Sequence, residues 1–241
     1  MKIFSTFLSL IPMALGLSPI AVSAEVFPAY RPQPRGIPKI RVSGGSRSPF
    51  GTSCISDPQA PPLMSIFPEN DLGYTTHRYP AFQWYMPRNN ASHVEFNLYE
   101  VVDENAGTYQ PVYQTAFVPS SSAGIATLQL MSAAGLAPLN SGTYYYWSVD
   151  VYCLDETTPV MTTDGFVEVV TPDPELATAL TESNGVERAA IAAENSLWFD
   201  ATRALTEHLQ IQPNDRQALE SWSILLKSIG LEDLTTAPLL S

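Results

Sequence analysis

Residues 143–153 read TYYYWSVDVYC. Side chains of an extended chain alternate between two sides, so Tyr145, Trp147, Val149, Val151 and Cys153 share one face and Tyr144, Tyr146, Ser148 and Asp150 the other. The first face is apolar enough to be the central wall of a β-sandwich, and it ends in one of only two cysteines. The remaining segments arrange themselves around it as partner strands, a disulfide partner and a helical appendage.

Six other segments alternate or carry strand composition: Leu63–Phe67, Ala81–Met86, His93–Val102, Gln110–Val118, Ile125–Leu130 and Val160–Val170. Phe82, Trp84 and Met86 share a face, as do Val94, Phe96 and Leu98, and then Ala126, Leu128 and Leu130. Turn formers separate the segments: Pro87, Asn89-Asn90, Asn105–Gly107, Ser120–Gly124, Pro138–Gly142 and Asp155–Pro159. About seven short strands at such intervals predict an antiparallel β-sandwich over residues 63–171.

From residue 172 the period changes. Asp173-Pro174 is an N-cap followed by proline at the first helical position, with Leu176, Ala179 and Leu180 on one face, and Asn184-Gly185 stops that helix. Val186–Asn195 and Phe199–Gln210 are the second and third, the last ended by Pro213. Asn214 to Gln217 gives a capping-box-like start to a fourth, in which Leu219, Trp222, Leu226 and Ile229 recur at helical spacing before Gly230. A small helical bundle is expected over 172–241.

At the other end, Lys2, the apolar run Ile3–Leu17 and Val22-Ser23-Ala24 read as an export signal over 1–24. Pro12, Gly16 and Pro19 interrupt the apolar run too early for a membrane span. An extracytoplasmic, periplasmic or secreted, location follows. Residues 25–62 form a Pro, Arg and Gly-rich lead-in that buries too little to fold alone. Its basic run, Arg31, Arg35, Lys39, Arg41 and Arg47, is either a solvated spacer or an arm that docks on an anionic surface.

Charge narrows the partners. The chain carries a net charge of -12, with 12 acids against Arg78 and Arg88 in 48–171 and 11 acids against four bases from 172 onward. Acidic bodies repel phosphate backbones, so nucleic acid is not an expected partner. Cys54 and Cys153 are expected to pair as a disulfide in an exported chain, two buried thiols being the alternative. His77, His93 and His208 are dispersed and lack metal-ligand spacing, and no hydrolase elbow, phosphate loop or dinucleotide turn is present. No cofactor or metal is expected. Two acidic groups, Glu100, Asp103 and Glu104 at a strand end and Asp155, Glu156 and Asp164 around a loop, are the weakest lead, for a carboxylate pair or calcium; solvated turns are the more ordinary explanation. Tyr144 and Tyr146, with Tyr109 or Tyr113 on an adjacent strand, form either an exposed aromatic platform for sugars or a partner, or ordinary cross-strand pairs.

Tyr79-Pro80-Ala81-Phe82-Gln83-Trp84, then Leu139, Gly142-Thr143-Tyr144 and Tyr146-Trp147, resemble the pattern of fibronectin type III-like domains, in which an early Trp packs under a later Tyr-bearing strand. Trp198-Phe199-Asp200-Ala201 and Ile211–Asp215 resemble one divergent tetratricopeptide hairpin, which must pack on the fourth helix or on the sandwich. With Gly44-Gly45, Cys54 and Gly230-Leu231-Glu232, the whole resembles a cyanobacterial family of exported proteins known only as a domain of unknown function. That resemblance implies compartment and architecture and supplies no site residues. The expected role is a non-catalytic binding or adaptor protein of the cell envelope with a protein or glycan partner. An envelope hydrolase using a carboxylate pair, or a structural component of a surface assembly, is the alternative.

Overall fold

A computed structural model of the chain describes residues 27–32, 54–55, 59–68, 72–103, 106–154 and 157–240. The export segment and Arg35, Lys39, Arg41 and Arg47 lie outside the described residues. The chain is of β-plus-α class, with eight strands and four helices described. In order these are β1 (Met64–Ser65), β2 (Gly73–Thr75), β3 (Ala81–Met86), β4 (His93–Asp103), β5 (Thr108–Phe117), β6 (Gly124–Gln129), β7 (Tyr144–Tyr152) and β8 (Met161–Val169), then α1 (Pro174–Glu182), α2 (Gly185–Glu194), α3 (Trp198–Ile211) and α4 (Arg216–Lys227). No helix among the described residues is long and apolar enough to cross a membrane.

The strands form a three-stranded sheet, β1-β3-β6, and a five-stranded sheet, β2-β8-β7-β4-β5. The face expected inside is inside: Tyr145, Trp147, Val149, Val151 and Cys153 are all buried. Phe82 of the smaller sheet meets Phe96 and Trp147 of the larger at centroid distances of 5.0 and 5.3 Å, so inner faces of the two sheets touch. Gly165 leaves room for the Trp147 ring, which a Cβ there would meet at 2.9 Å.

One strand departs from the antiparallel expectation. β2 pairs with β8 in parallel, Gly73 opposite Val167 and Thr75 opposite Val169. Its three residues carry too short a pattern to read, and no hairpin joins it to β8, so nothing local forces antiparallel pairing.

The helices are docked on the strands through the start of α3. Trp198 is fully buried, donates from Nε1 to the Ile66 carbonyl at 2.8 Å, and meets Tyr30 edge-on at 4.9 Å. Phe199 packs on Phe67 and Phe82, and a side chain at Gly73 would collide with its ring. Gln83 Nε2 donates to Thr206 Oγ1 at 2.8 Å. One apolar cluster therefore runs from strands into helices. α3 touches β2, β3, α2 and α4, so the α2–α3 pair packs on both the fourth helix and the sheets.

Helix ends follow their caps, with two corrections. Asp173 caps α1 by accepting from Leu176 N at 2.8 Å. α4 is capped by Asp215, which accepts from Gln217 N and Ala218 N, rather than from Asn214. Leu219 is 45% exposed, because α4 buries the adjacent stripe of Ala218, Ser221, Trp222, Leu225 and Leu226. Cys54 and Cys153 form a disulfide, Cα to Cα 5.6 Å, joining the lead-in to the end of β7. At the edge of the smaller sheet, Leu240 N donates to Ile125 O and Ile125 N to Pro238 O, so the C-terminal segment covers β6.

Candidate functional site

Antiparallel register sets the outer face of the five-stranded sheet out in rows. Across β4, β7 and β8, Tyr99, Tyr146 and Phe166 form one row, Asn97, Ser148 and Asp164 the next, and Glu95, Asp150 and Thr162 a third. The first is aromatic and the others are polar. Tyr146 lies 6.2 Å from Tyr99, 5.6 Å from Tyr109 and 5.3 Å from Phe166 between ring centroids. Tyr99, Tyr109 and Tyr144 are half-buried, while Tyr146 is only 7% exposed.

Hydrogen bonds tie the polar rows. Thr162 Oγ1 donates to Asp150 Oδ1 at 2.6 Å, and Asn97 Nδ2 and Ser148 Oγ donate to Asp150 Oδ2 at 3.0 and 3.2 Å. Asp164 stands diagonally across from Asp150 on β8 and hydrogen-bonds Tyr146. Burial pushes the Asp164 carboxyl up to about 6; the Tyr146 bond opposes this and the Asp150 charge adds to it. Tyr146 is held far above its ordinary range by burial first and the Asp164 charge second. At the far end His93 stacks on Tyr152 at 4.5 Å, and Tyr152 donates to Glu95 Oε2 at 3.4 Å.

The sign of the Asp164 shift sets a pH dependence. A carboxyl whose pKa rises on folding contributes stability that is fully present below its unfolded value of 3.8 and is lost as pH rises through about 6. Thermal melts of wild type and Asp164→Asn should therefore converge toward pH 4.5. Above pH 7 the variant should melt several degrees higher relative to wild type than it does at pH 4.5. A difference independent of pH would place the titration elsewhere.

The expected tyrosine set is divided by a bulge. β4–β5 register shifts between Leu98 and Tyr99, leaving Val112 as an extra residue on β5. Tyr109 and Tyr113, four apart and so on one face of a regular strand, consequently fall on opposite faces. Tyr109 joins Tyr99 and Tyr146; Tyr113 turns inward, opposite Leu98 and 6.4 Å from Phe96. Tyr144 sits at the end of β7 opposite Glu168. Tyr146 is covered by its aromatic neighbours, as cross-strand pairing rather than an open platform requires.

The acidic groups regroup as well. Glu104, Asp155 and Glu156 lie outside the described residues; Asp103 accepts from Ala106 N in a turn, and Glu100 faces away from Asp164. The carboxylates brought together are Asp150 and Asp164, a pair the sequence reading did not make. Period two along β8, which sends Thr162, Asp164 and Phe166 to one side, carried the signal. The three histidines are apart: His93 on this face, His208 Nε2 2.8 Å from Asp215 Oδ2 between α3 and α4, and His77 near Asp200, where burial lowers its pKa. Arg31 is exposed beside Ser196, whose hydroxyl donates to the Arg31 carbonyl. Among the described residues no group of three His, Cys, Asp or Glu side chains is placed to hold a metal ion.

No curated protein matches the chain. Residues 42–239 match the family model described as Domain of Unknown Function (DUF928), which takes in every strand and helix described above. The chain belongs to the DUF928 family.

Proposed function

We propose that the chain is a non-catalytic binding or adaptor protein of an extracytoplasmic compartment, engaging a glycan through the outer face of its five-stranded sheet. The observation that carries this is the adjacency of the half-buried Tyr99 and Tyr109, backed by the buried Tyr146 and Phe166, to the two polar rows that hold the half-buried Asp164 and Asp150. Sugar rings present C–H faces that pack on aromatic rings and hydroxyls that pair with carboxylates and amides, and this surface offers both side by side. The disulfide supports an oxidising compartment, and the acidic body disfavours nucleic acid. Two facing sheets with Trp84 and Trp147 inside support a fibronectin-like sandwich over 63–171. The short Asn195–Leu197 link between α2 and α3 supports a tetratricopeptide-like hairpin within 172–241. The apolar run Ile3–Leu17 before Val22-Ser23-Ala24 supports an exported origin.

The test is affinity electrophoresis of the chain from Glu25 onward through gels containing envelope polysaccharides. Wild type should be retarded by at least one, and Tyr99→Ala with Tyr109→Ala should weaken that about tenfold or more, since two stacked rings are worth roughly 1 to 3 kcal/mol. Ile211→Ala, at an exposed position on α3, should change nothing. Retardation equal in all three, or absent for every polymer, would end this reading. A second reading has a specific observation behind it: Asp164, raised to about 6 by burial, stands diagonally across from a second carboxylate, Asp150, as a general acid stands near its partner. New reducing ends released by wild type and not by Asp164→Asn would favour a hydrolase.

A further inference from the structure

On the inner side of the same sheet, β4, β5 and β7 end against the loop that carries Gly135–Asn140, leaving a cavity of about 360 Å³. Glu100, Val112, Tyr113 and Tyr145 line the sheet side, and Leu136, Pro138 and Leu139 the loop side. We propose that this cleft binds an organic ammonium group, with the Glu100 carboxylate as its counter-charge and Tyr113, backed by the buried Tyr145, as its aromatic wall.

Three observations carry the assignment. The walls are fixed: Arg78 Nε donates to Leu139 O at 2.7 Å and Nη2 to Pro138 O at 3.4 Å, Tyr79 Oη donates to Leu136 O at 3.0 Å, and Leu139 N donates to Arg78 O at 3.0 Å. The cleft is therefore formed before any ligand arrives, as small-molecule sites usually are, and its volume lies in their range of roughly 300 to 1,000 Å³. Next, Glu100 is the one ionisable acid or base lining it apart from tyrosine hydroxyls, and among the described residues no cation pairs with it. Finally, the Tyr145 hydroxyl is held in place, accepting from Asn140 N at 2.9 Å and hydrogen-bonded to the Thr143 side chain, while the half-buried Tyr113 offers its ring, and tyrosine faces attract cations. A half-buried carboxylate among apolar and aromatic groups suits a cation carried on an apolar stem. The wider charge agrees: in 48–171 twelve acids face two bases, one of which, Arg78, is engaged with the loop carbonyls.

The bulge at Val112 builds this cleft, because it turns Tyr113 inward while Tyr109 stays on the outer face. Glu100 pairs with Tyr145, and Tyr99 with Tyr146, so the cleft and the aromatic row occupy opposite faces of the sheet. The two assignments stand or fall separately.

The ammonium could come from a free amine or from a lysine side chain of a protein, and the probes separate these. Tetramethylammonium, n-butylammonium, Nα-acetyl-lysine amide and, as the anionic control, butyrate are titrated into ¹⁵N-labelled chain from Glu25 onward, following the amides of Glu100, Tyr113 and Asn140. Saturable shifts with a cation, weakened tenfold or more in Glu100→Gln and abolished in Leu136→Trp, are expected, with thermal melts checking that each variant is folded. Tighter binding of the lysine amide assigns the site to a protein's lysine, and tighter binding of the alkylammonium ions to free amines. Either supports the proposal. No saturable shift with any cation, an equal response to butyrate, or binding unchanged in Glu100→Gln would overturn it. Should Glu100→Gln fail to fold, persistence of cation binding in Leu136→Trp would overturn it alone.

Discussion

Reduction of Cys54–Cys153, or their joint replacement by serine, should lower the free energy of unfolding by up to about 4 to 5 kcal/mol. The bond spans 99 residues, and in the chain-entropy model a closed loop of that size removes most from the unfolded ensemble. Both sulfurs are buried, and the bridge holds residues that pair elsewhere: Asn90 N donates to Cys54 O, and Ile55 pairs with Asn89 in the turn before β4. Loss of the bond should therefore also release the lead-in from the β3–β4 turn. Denaturant unfolding with and without reductant measures the effect. A loss of unfolding free energy below about 1 kcal/mol would mean that the unfolded chain is already restrained without the bond.

Asp200→Ala should cost about 3 kcal/mol, lowering the melting temperature by roughly 6 to 12 °C. Asp200 is 4% exposed at the start of α3 and accepts from Thr75 Oγ1 at 2.5 Å, Thr76 N at 2.9 Å and Thr76 Oγ1 at 2.7 Å. These bonds join the helical segment to β2, and alanine leaves the Thr76 N–H without its acceptor. Asparagine should recover part of this, because its amide oxygen can take the two Thr76 donors while its NH₂ donates to the Thr75 hydroxyl. A second readout comes from His77, whose pKa is lowered by burial and partly restored by the Asp200 charge. In Asp200→Ala the His77 titration should move further down, measured by its ring proton shifts. An unchanged melting point would show that the α3–β2 junction rests on Trp198 and Phe199 alone.

What could be read before the structure followed from local physics. Period two in 143–153 identified the inner face of β7 because that strand is central and packs its apolar face against the smaller sheet, so register leaves its residues no choice. Helix ends were legible where Asp173 and Pro213 act on their own neighbours. The failures share a cause, which is that each depends on a partner far along the chain. β2 is three residues long and acquires strand geometry from β8. The Val112 bulge depends on how β5 meets β4, and periodicity within β5 cannot show it. Asp150 and Asp164 become neighbours only through the β7–β8 register, and Asp200 meets Thr75 across 125 residues. Tyr144 and Tyr146 lie on the face opposite Trp147, as period two requires, yet the burial of Tyr146 comes from Tyr99 and Phe166 on flanking strands.

Hydroxyl-radical footprinting of the chain from Glu25 onward, with and without a retarding envelope polysaccharide, tests the proposed binding face most directly. Protection should concentrate on Tyr99, Tyr109 and Tyr144, the half-buried tyrosines of the outer face of the larger sheet, and should spare Tyr113, Leu219 and Ile211. Protection confined to the helices, or to the lead-in, with the outer tyrosines unchanged would contradict it.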